Sequence, residues 1–240
     1  MNRLVKRMVP ARLKEALKKD LGVPSMERSL AALQANGFSP RVVIDIGAYK
    51  GEWTVFCKDL WPESSVLMLE GNPQRAAALQ DMSKRWGGVW AEHALLGPAA
   101  QSAVPFYEQE SASSVLPEAA KKNQPFTTLP MRTLDEVTAG TIFSKPDFLK
   151  LDVQGYELDI LKGGRLTLQG AEVVLTEVNF IAIYQGAPLL RDVIEFFEGE
   201  GFRAYDIATL YRRPLDGALW QADLIFVRHN SPLVSSLRYE

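Results

Sequence analysis

Acidic and glycine residues recur in this chain at the ends of short apolar runs, where a parallel sheet presents its ligands. Val42–Ile46 is apolar except for Asp45, and Gly47-Ala48-Tyr49-Lys50-Gly51 follows it. Gly47 and Gly51 let the backbone turn sharply and admit a ligand where a Cβ would otherwise stand. Glu70 closes the next apolar run, about 20 residues on, where a carboxylate can accept both hydroxyls of an adenosine ribose. The loop has two glycines rather than the three of a dinucleotide fingerprint, and a carboxylate beside it disfavours a pyrophosphate. The same carboxylate suits the ammonium and sulfonium charges of S-adenosylmethionine. The residues expected around that cofactor are Asp45, Gly47, Ala48, Tyr49, Gly51 and Glu52 of the first loop, then Glu70, Gly71 and Asn72. Glu92, His93 and Ala94 join them from the third strand end, and Asp152 from the fourth. The alternatives are an enzyme using NAD or a sugar nucleotide on the same sheet, and a catalytically silent binding module.

Methyl transfer from a sulfonium is an in-line displacement, so positioning supplies much of the catalysis. An alcohol acceptor must also lose its proton to a nearby base. The chain has only two histidines. His229 follows the last strand and reads as solvent-exposed; His93 reads either as bordering adenine or as structural. The strand-end carboxylates remain. Asp152 is expected to face the methyl group and to take the hydroxyl proton or fix the acceptor, the alternative being a helix cap. Lys150, two positions earlier, should share its face, and Glu177 ends the fifth strand; these three are the catalytic candidates. Glu157, Asn179 and Tyr184 are the substrate-side candidates, with Tyr211 and the loop Glu108–Gln124. Asp152, Glu177 and Asn179 also offer oxygens of the kind Mg²⁺ accepts, a separate expectation; no His or Cys cluster supports a metal, and no metal ligand is assigned.

The positions of these residues require an α/β fold, because β-branched apolar runs alternate with helix-periodic segments. A first helix is predicted at Met26–Asn36, with Ser25 as N-cap and Gly37 ending it. Strands follow at Val42–Ile46, Val66–Glu70 and Val89–Leu95, and a helix starts at Asn72-Pro73 and runs to Arg85 before Gly87–Gly88. Trp53 and Trp61 should pack the helix after the first loop against the sheet. Ala103–Tyr107 reads as an extra strand and Glu108–Gln124 as a mobile loop over the active site. Further strands are predicted at Phe148–Asp152, Val173–Val178, Phe202–Ile207 and Asp223–Val227. A helix at Pro188–Gly199 should turn Leu190, Val193, Ile194 and Phe197 inward.

The 240 residues suffice for one buried α/β domain, and the 47% apolar and 23% charged fractions are those of a globular protein. The net charge of -2 provides no field for nucleic acid. The single cysteine, Cys57, excludes a disulfide framework and a cysteine-clustered zinc site. No apolar run approaches the ~20 residues of a membrane-spanning helix, and the first residues do not read as a secretory signal, so the expected compartment is the cytoplasm. The one basic cluster is N-terminal (Arg3, Lys6, Arg7, Arg12, Lys14, Lys18, Lys19). Leu4, Met8, Leu13 and Leu17 give it helical spacing, read as a docking or lid helix or as a contact for a partner or membrane surface.

From Val42 to Val227 the chain resembles the FkbM family of methyltransferases. The resemblance rests on DIGAYKGEWT (Asp45–Thr54), TLDEV (Thr133–Val137) and FLKLDVQGYELDILKGG (Phe148–Gly164), with EVNFIAIYQGAPLL (Glu177–Leu190) and QADLIFV (Gln221–Val227). Two departures are visible. The family usually has Glu-Pro-Asn-Pro where this chain has Glu70-Gly71-Asn72-Pro73, and often Asp-Val-Glu-Gly where Gln154 stands here. The second departure puts in doubt any catalytic or metal role carried by that Glu. The resemblance implies a single Rossmann-like methyltransferase domain over residues 39–240, with a seven-stranded, mostly parallel sheet flanked by helices and a helical extension over 1–38. It also implies O-methylation of a hydroxyl on a sugar, glycan or secondary metabolite, so the expected partner is a small-molecule or glycan acceptor, with a homo-oligomer left open.

Overall fold

The computed structural model describes residues 22–110, 112–236 and 238; the basic N-terminal cluster and the helix expected there lie outside them. The first strands are β1 (Val42–Ile46), β2 (Ser65–Glu70), β3 (Val89–His93), β4 (Leu95–Leu96), β5 (Gln101–Phe106) and β6 (Thr127–Arg132). They are followed by β7 (Phe148–Leu151), β8 (Val173–Asn179), β9 (Phe202–Arg212) and β10 (Leu219–Arg228). Seven of them form one sheet in the order β3-β2-β1-β7-β8-β10-β9, and β4-β6-β5 form a small second sheet. In the large sheet β10 runs antiparallel to both of its neighbours and the other pairings are parallel. This is a Rossmann-like sheet, and its chain order reverses direction at β1.

The central strands are apolar on both faces because both faces are covered. On one side lie α1 (Met26–Ala35), α2 (Glu52–Leu60) and α3 (Pro73–Arg85), which bury Leu30, Leu33, Cys57 and Leu79 with Val43 and Phe148. Phe148 receives the rings of Phe38, Trp53 and Trp61 edge-on at 5.5–5.9 Å, so both tryptophans pack as expected. Such ring pairs each add about 0.5–1.5 kcal/mol beyond simple burial. On the other side lie α4 (Leu134–Thr138), α5 (Glu157–Lys162), α6 (Arg165–Gly170) and α7 (Leu190–Gly199). Phe197 of α7 is fully buried and stacks on Phe226 at 4.1 Å. The TLDEV segment is a helix start: Thr133 and Glu136 form a reciprocal capping box, and Asp135 accepts the amides of Leu166 and Thr167 to seat α6.

Several element boundaries differ from expectation for physical reasons. The third strand stops at His93, because its partner β2 ends opposite, at Glu70; Leu95–Leu96 leaves the large sheet to pair with β6. Strand β6 itself has no clean alternation and carries Pro130, and only its neighbours β4 and β5 make it a strand. Strands β9 and β10 extend beyond prediction into a long hairpin. The last helix begins at Leu190 rather than Pro188, where Asp192 accepts the Leu189 amide. Ser25 flanks α1 but gives its hydroxyl to Glu27 instead of capping the helix. Asn72 caps α3 as expected, accepting the Gln74 amide at 2.9 Å.

Candidate active site

An open sheet of this kind binds ligands where neighbouring strand ends lead in opposite directions. Here that point lies between β1, whose chain turns toward α2, and β7, whose chain turns toward α5. A cavity of about 440 Å³ opens there, within the range usual for small-molecule sites. Gly47 and Tyr49 line it from the first loop and Glu52 from the start of α2. Glu70 and Gly71 line it from the end of β2 and just beyond it, and Asp152, Val153 and Tyr156 from beyond β7. The turn depends on Gly47, at φ 75, where a Cβ would stand far inside van der Waals contact with the Asp152 carbonyl oxygen.

Asp45 does not line the cavity. It lies directly opposite Lys150 in the β1–β7 register and is fully buried. Lys150 Nζ is 3.0 Å from Asp45 Oδ1, donates to the Gly47 carbonyl at 3.0 Å, and stands 3.9 Å from Asp152 Oδ2. Thr54 donates to the other Asp45 oxygen at 2.8 Å. Burial alone would lower the Lys150 pKa, but Asp45 and Asp152 outweigh it and hold it above the usual lysine value. The charge expected to face a sulfonium is therefore neutralised from within; Asp45 and Lys150 form the internal brace of the loop.

Glu70 is placed as expected. Its carboxylate accepts from the Tyr49 amide (2.8 Å) and the Asn72 amide (2.7 Å) and still borders the cavity. Tyr49, at φ 51, sends its hydroxyl to Glu110 at 3.0 Å while Arg75 stacks on its ring at 4.7 Å. The loop after β5 thus reaches the cavity, as anticipated for Glu108–Gln124: Glu110, Ser113, Ser114 and Val115 line it. Asn72 ties to the same loop through Ser113. Ala94 is a lining residue, whereas Ala48 and Gly51 shape the turn from behind. Glu92 is turned away into an ion pair with Arg132, and His93 sets its ring 3.1 Å from the Gly71 carbonyl oxygen, outside the cavity. His229 is exposed, with its ring 2.8 Å from the Phe202 carbonyl oxygen.

At the β7 end, Asp152 is 44% exposed and faces the cavity. It does not cap α5; the amides of Val153 and Gly155 donate to Glu157 Oε1 instead, at 3.0 and 3.1 Å. Burial pushes the Glu157 carboxyl up to about 7 despite those bonds. Glu177 is held well above the usual carboxylate range, first by burial and then by the charges of Asp152, Glu157 and Asp223. Burial, then Asp152, raises Asp223 to about 6. Glu157, Glu177, Asn179 and Tyr184 therefore form a buried polar layer behind Asp152 and do not line the cavity. Tyr211 of β9 is 42% exposed, outside this buried layer, and reaches it only by donating its hydroxyl to Asp223 at 3.1 Å.

Magnesium finds no support in this arrangement. Among the described residues no group of His, Cys, Asp or Glu is placed to hold a metal ion, and the Gln221 amide occupies both Glu177 (2.7 Å) and Asn179 (3.2 Å). Sequence reasoning missed the apolar wall of Leu69, Leu95, Phe106 and Ile160, and it did not place Gln154, Gln221 and Asp223 beside Glu177. Leu95 and Phe106 of that wall belong to the small sheet, whose pairing local pattern does not reveal, while Leu69 comes from β2 and Ile160 from α5. The Gln221-Ala-Asp223 alternation facing Glu177 was the available signal for those two residues.

The sheet is of the Rossmann-like class, with its cavity at the strand ends where such sheets bind ligands. The methyltransferase FkbM domain matches residues 45–204, two thirds of the chain, and the chain belongs to that family. No curated protein sequence matches it. Solved structures similar to it include a putative O-methyltransferase from Klebsiella pneumoniae, 13% identical, covering 95% of this chain and 94% of that one, with a TM-score of 0.48. Magnesium protoporphyrin IX methyltransferase from Synechocystis PCC 6803, solved with bound SAM, is 12% identical over 85% and 77% of the two chains, with a TM-score of 0.49. Precorrin-6y C5,15-methyltransferase from Geobacter metallireducens GS-15 is 15% identical over 82% and 85%, with a TM-score of 0.48.

Proposed function

We propose that the protein transfers a methyl group from S-adenosylmethionine to a hydroxyl of a sugar, glycan or secondary metabolite, with Asp152 as the proton acceptor. The observation that carries this reading is that Glu70 and Asp152 line one cavity from β2 and β7, on either side of β1. Glu70 would hold the ribose hydroxyls, since each of its oxygens retains a lone pair beyond the amide it already accepts. Gly47 and Gly71 leave the cavity wall without side chains, and Leu69, Leu95 and Phe106 give it apolar faces suited to an adenine ring. When bound, S-adenosylmethionine supplies a methyl group on a positively charged sulfur.

The chain's own part is to align an oxygen with that methyl, exclude water and receive a proton. Asp152 is the exposed member of its carboxylate group, while Glu177 behind it retains its proton more readily through burial. Asp152 would receive the hydroxyl proton as the acceptor oxygen takes up the methyl group. Glu110, Ser113, Ser114 and Val115 border the cavity and would help to shield the transfer from water.

The test is a mass-spectrometric search for a product heavier by one CH₂ after incubation with S-adenosylmethionine and panels of hydroxylated acceptors. Turnover should appear with the unaltered chain and fall about 10²–10⁴-fold in Asp152→Asn. Full turnover by Asp152→Asn would remove the assignment of the base, and methylation at nitrogen or carbon would remove the acceptor class.

A further inference from the structure

Gln154 stands where the chain leaves β7 for α5, and its backbone is left-handed at φ 59. Residues with a Cβ beyond Asn and Asp seldom adopt that conformation, and where they do the surroundings must hold them. Here they hold it from three directions. The amides on either side, of Val153 and Gly155, both donate to Glu157 Oε1. The Gln154 carbonyl accepts from the Ser114 hydroxyl at 3.0 Å, which joins it to the loop after β5. Its carboxamide nitrogen donates to Asp152 Oδ1 at 2.9 Å and reaches Glu177 Oε2 at 3.4 Å, while its oxygen accepts from the Tyr184 hydroxyl at 2.7 Å.

The chemistry of these neighbours sets the amide's orientation. Two carboxyl groups need donors, and the NH₂ end offers one proton to each; the Tyr184 hydroxyl needs an acceptor, and the carbonyl end supplies it. Tyr184 is buried and pinned through its backbone bridge to Glu118. We propose that Gln154 is a positioning residue for methyl transfer, its carboxamide holding the Asp152 carboxylate toward the cavity and Tyr184 fixing which end of the amide does so. The proposal rests on the reading of Asp152 as the proton acceptor.

The surroundings favour a side chain without net charge at this place, an amide as here or a carboxyl that keeps its proton. Lys150 is already shared between Asp45, the Gly47 carbonyl and Asp152. The remaining charged groups around the pair are acidic: Asp223 from β10, Glu157 from α5, and Glu118 beyond Tyr184. A further carboxyl at residue 154 would meet Asp152 and Glu177 with no free cation among these neighbours, and could remain only by keeping a proton.

Two variants of the full-length chain test this. Gln154→Gly fits the left-handed backbone but leaves the buried Tyr184 hydroxyl without its acceptor. The chain should therefore stay folded with a modestly lower melting temperature and unaltered S-adenosylmethionine affinity, while kcat for the acceptor found by the product search falls at least tenfold. Gln154→Glu should keep one more proton than the unaltered chain at pH 7, read by carbon-13 carboxyl titration without any ligand. The last carboxyl of the cluster to titrate should move up by at least one pH unit, a tenfold change in proton affinity. If the added carboxyl titrates in the ordinary glutamate range and the Asp152–Glu177 pair is undisturbed, the proposal is overturned. Loss of melting temperature in Gln154→Gly with kcat intact would make the residue merely structural and overturn it too. An active Gln154→Gly beside an inactive Asp152→Asn removes this inference alone, whereas an active Asp152→Asn removes both it and the proton-acceptor reading.

Discussion

Glu157 gives the most quantitative handle on the buried polar layer. Its carboxyl rises from an ordinary 4.5 to about 7, burial being the largest cause. Between those values the folded chain keeps a proton that the unfolded chain releases, so stability falls as pH rises through that window. The rise corresponds to about 3 kcal/mol at pH 8 and to less than about 1 kcal/mol at pH 5. Glu157→Gln keeps an oxygen to accept the Val153 and Gly155 amides and removes the titrating proton. Urea unfolding followed by tryptophan fluorescence between pH 5 and 8 should therefore show the variant gaining on the unaltered chain by about 2–3 kcal/mol across that range. In melting temperature the gain is roughly 5–10 °C for a chain of this size. Glu177 and Asp223 are raised as well, so the variant should still lose stability with pH, only less steeply. A constant difference between the two chains from pH 5 to pH 8 would refute the reasoning.

Other perturbations follow from the same geometry. Gly47→Ala places a Cβ on the Asp152 carbonyl at a positive φ and should cost at least about 2 kcal/mol in unfolding free energy; a neutral effect would contradict the tight loop. Lys150→Met strands the buried Asp45 and should cost about 3–5 kcal/mol. Adding Asp45→Asn should restore about 1 kcal/mol or more relative to the sum of the single changes, and strict additivity would deny the brace. Cys57 is buried and its thiol pushed up to about 12, so iodoacetamide at pH 8 should label it in urea and leave the folded chain untouched. Rapid labelling of the folded chain would show that α2 is not packed as described.

The elements nearest the site were the most legible in the amino-acid order. Strand β1 begins and ends at the expected residues because its apolar run is bounded by Arg41 and Gly47, and Asn72-Pro73 signalled a helix start that the structure contains. Glu70 and Asp152 were singled out because each is an acidic residue at the end of a mostly apolar run, and both border the cavity. What escaped was set by contacts distant in sequence. Asp45 read as a free charge because nothing local reveals that the parallel register sets Lys150 beside it. Strand β6 exists only through pairing with β4 and β5, and the residues opposite Glu177 depend on β10 running antiparallel to β8. Chemistry borne by one strand end was thus visible, and chemistry shared between two strand ends was not.

The most direct measurement is a calorimetric titration of the full-length chain with S-adenosylmethionine, S-adenosylhomocysteine and NAD, repeated on Glu70→Ala. Both adenosine compounds should bind at one site per chain and NAD should give no binding heat. Loss of a charge-assisted hydrogen bond of about 1.5–3 kcal/mol predicts roughly 10–100-fold weaker binding by the variant. Binding of NAD alone, or unaltered S-adenosylmethionine affinity in Glu70→Ala, would contradict the assignment of this cavity to the methyl donor.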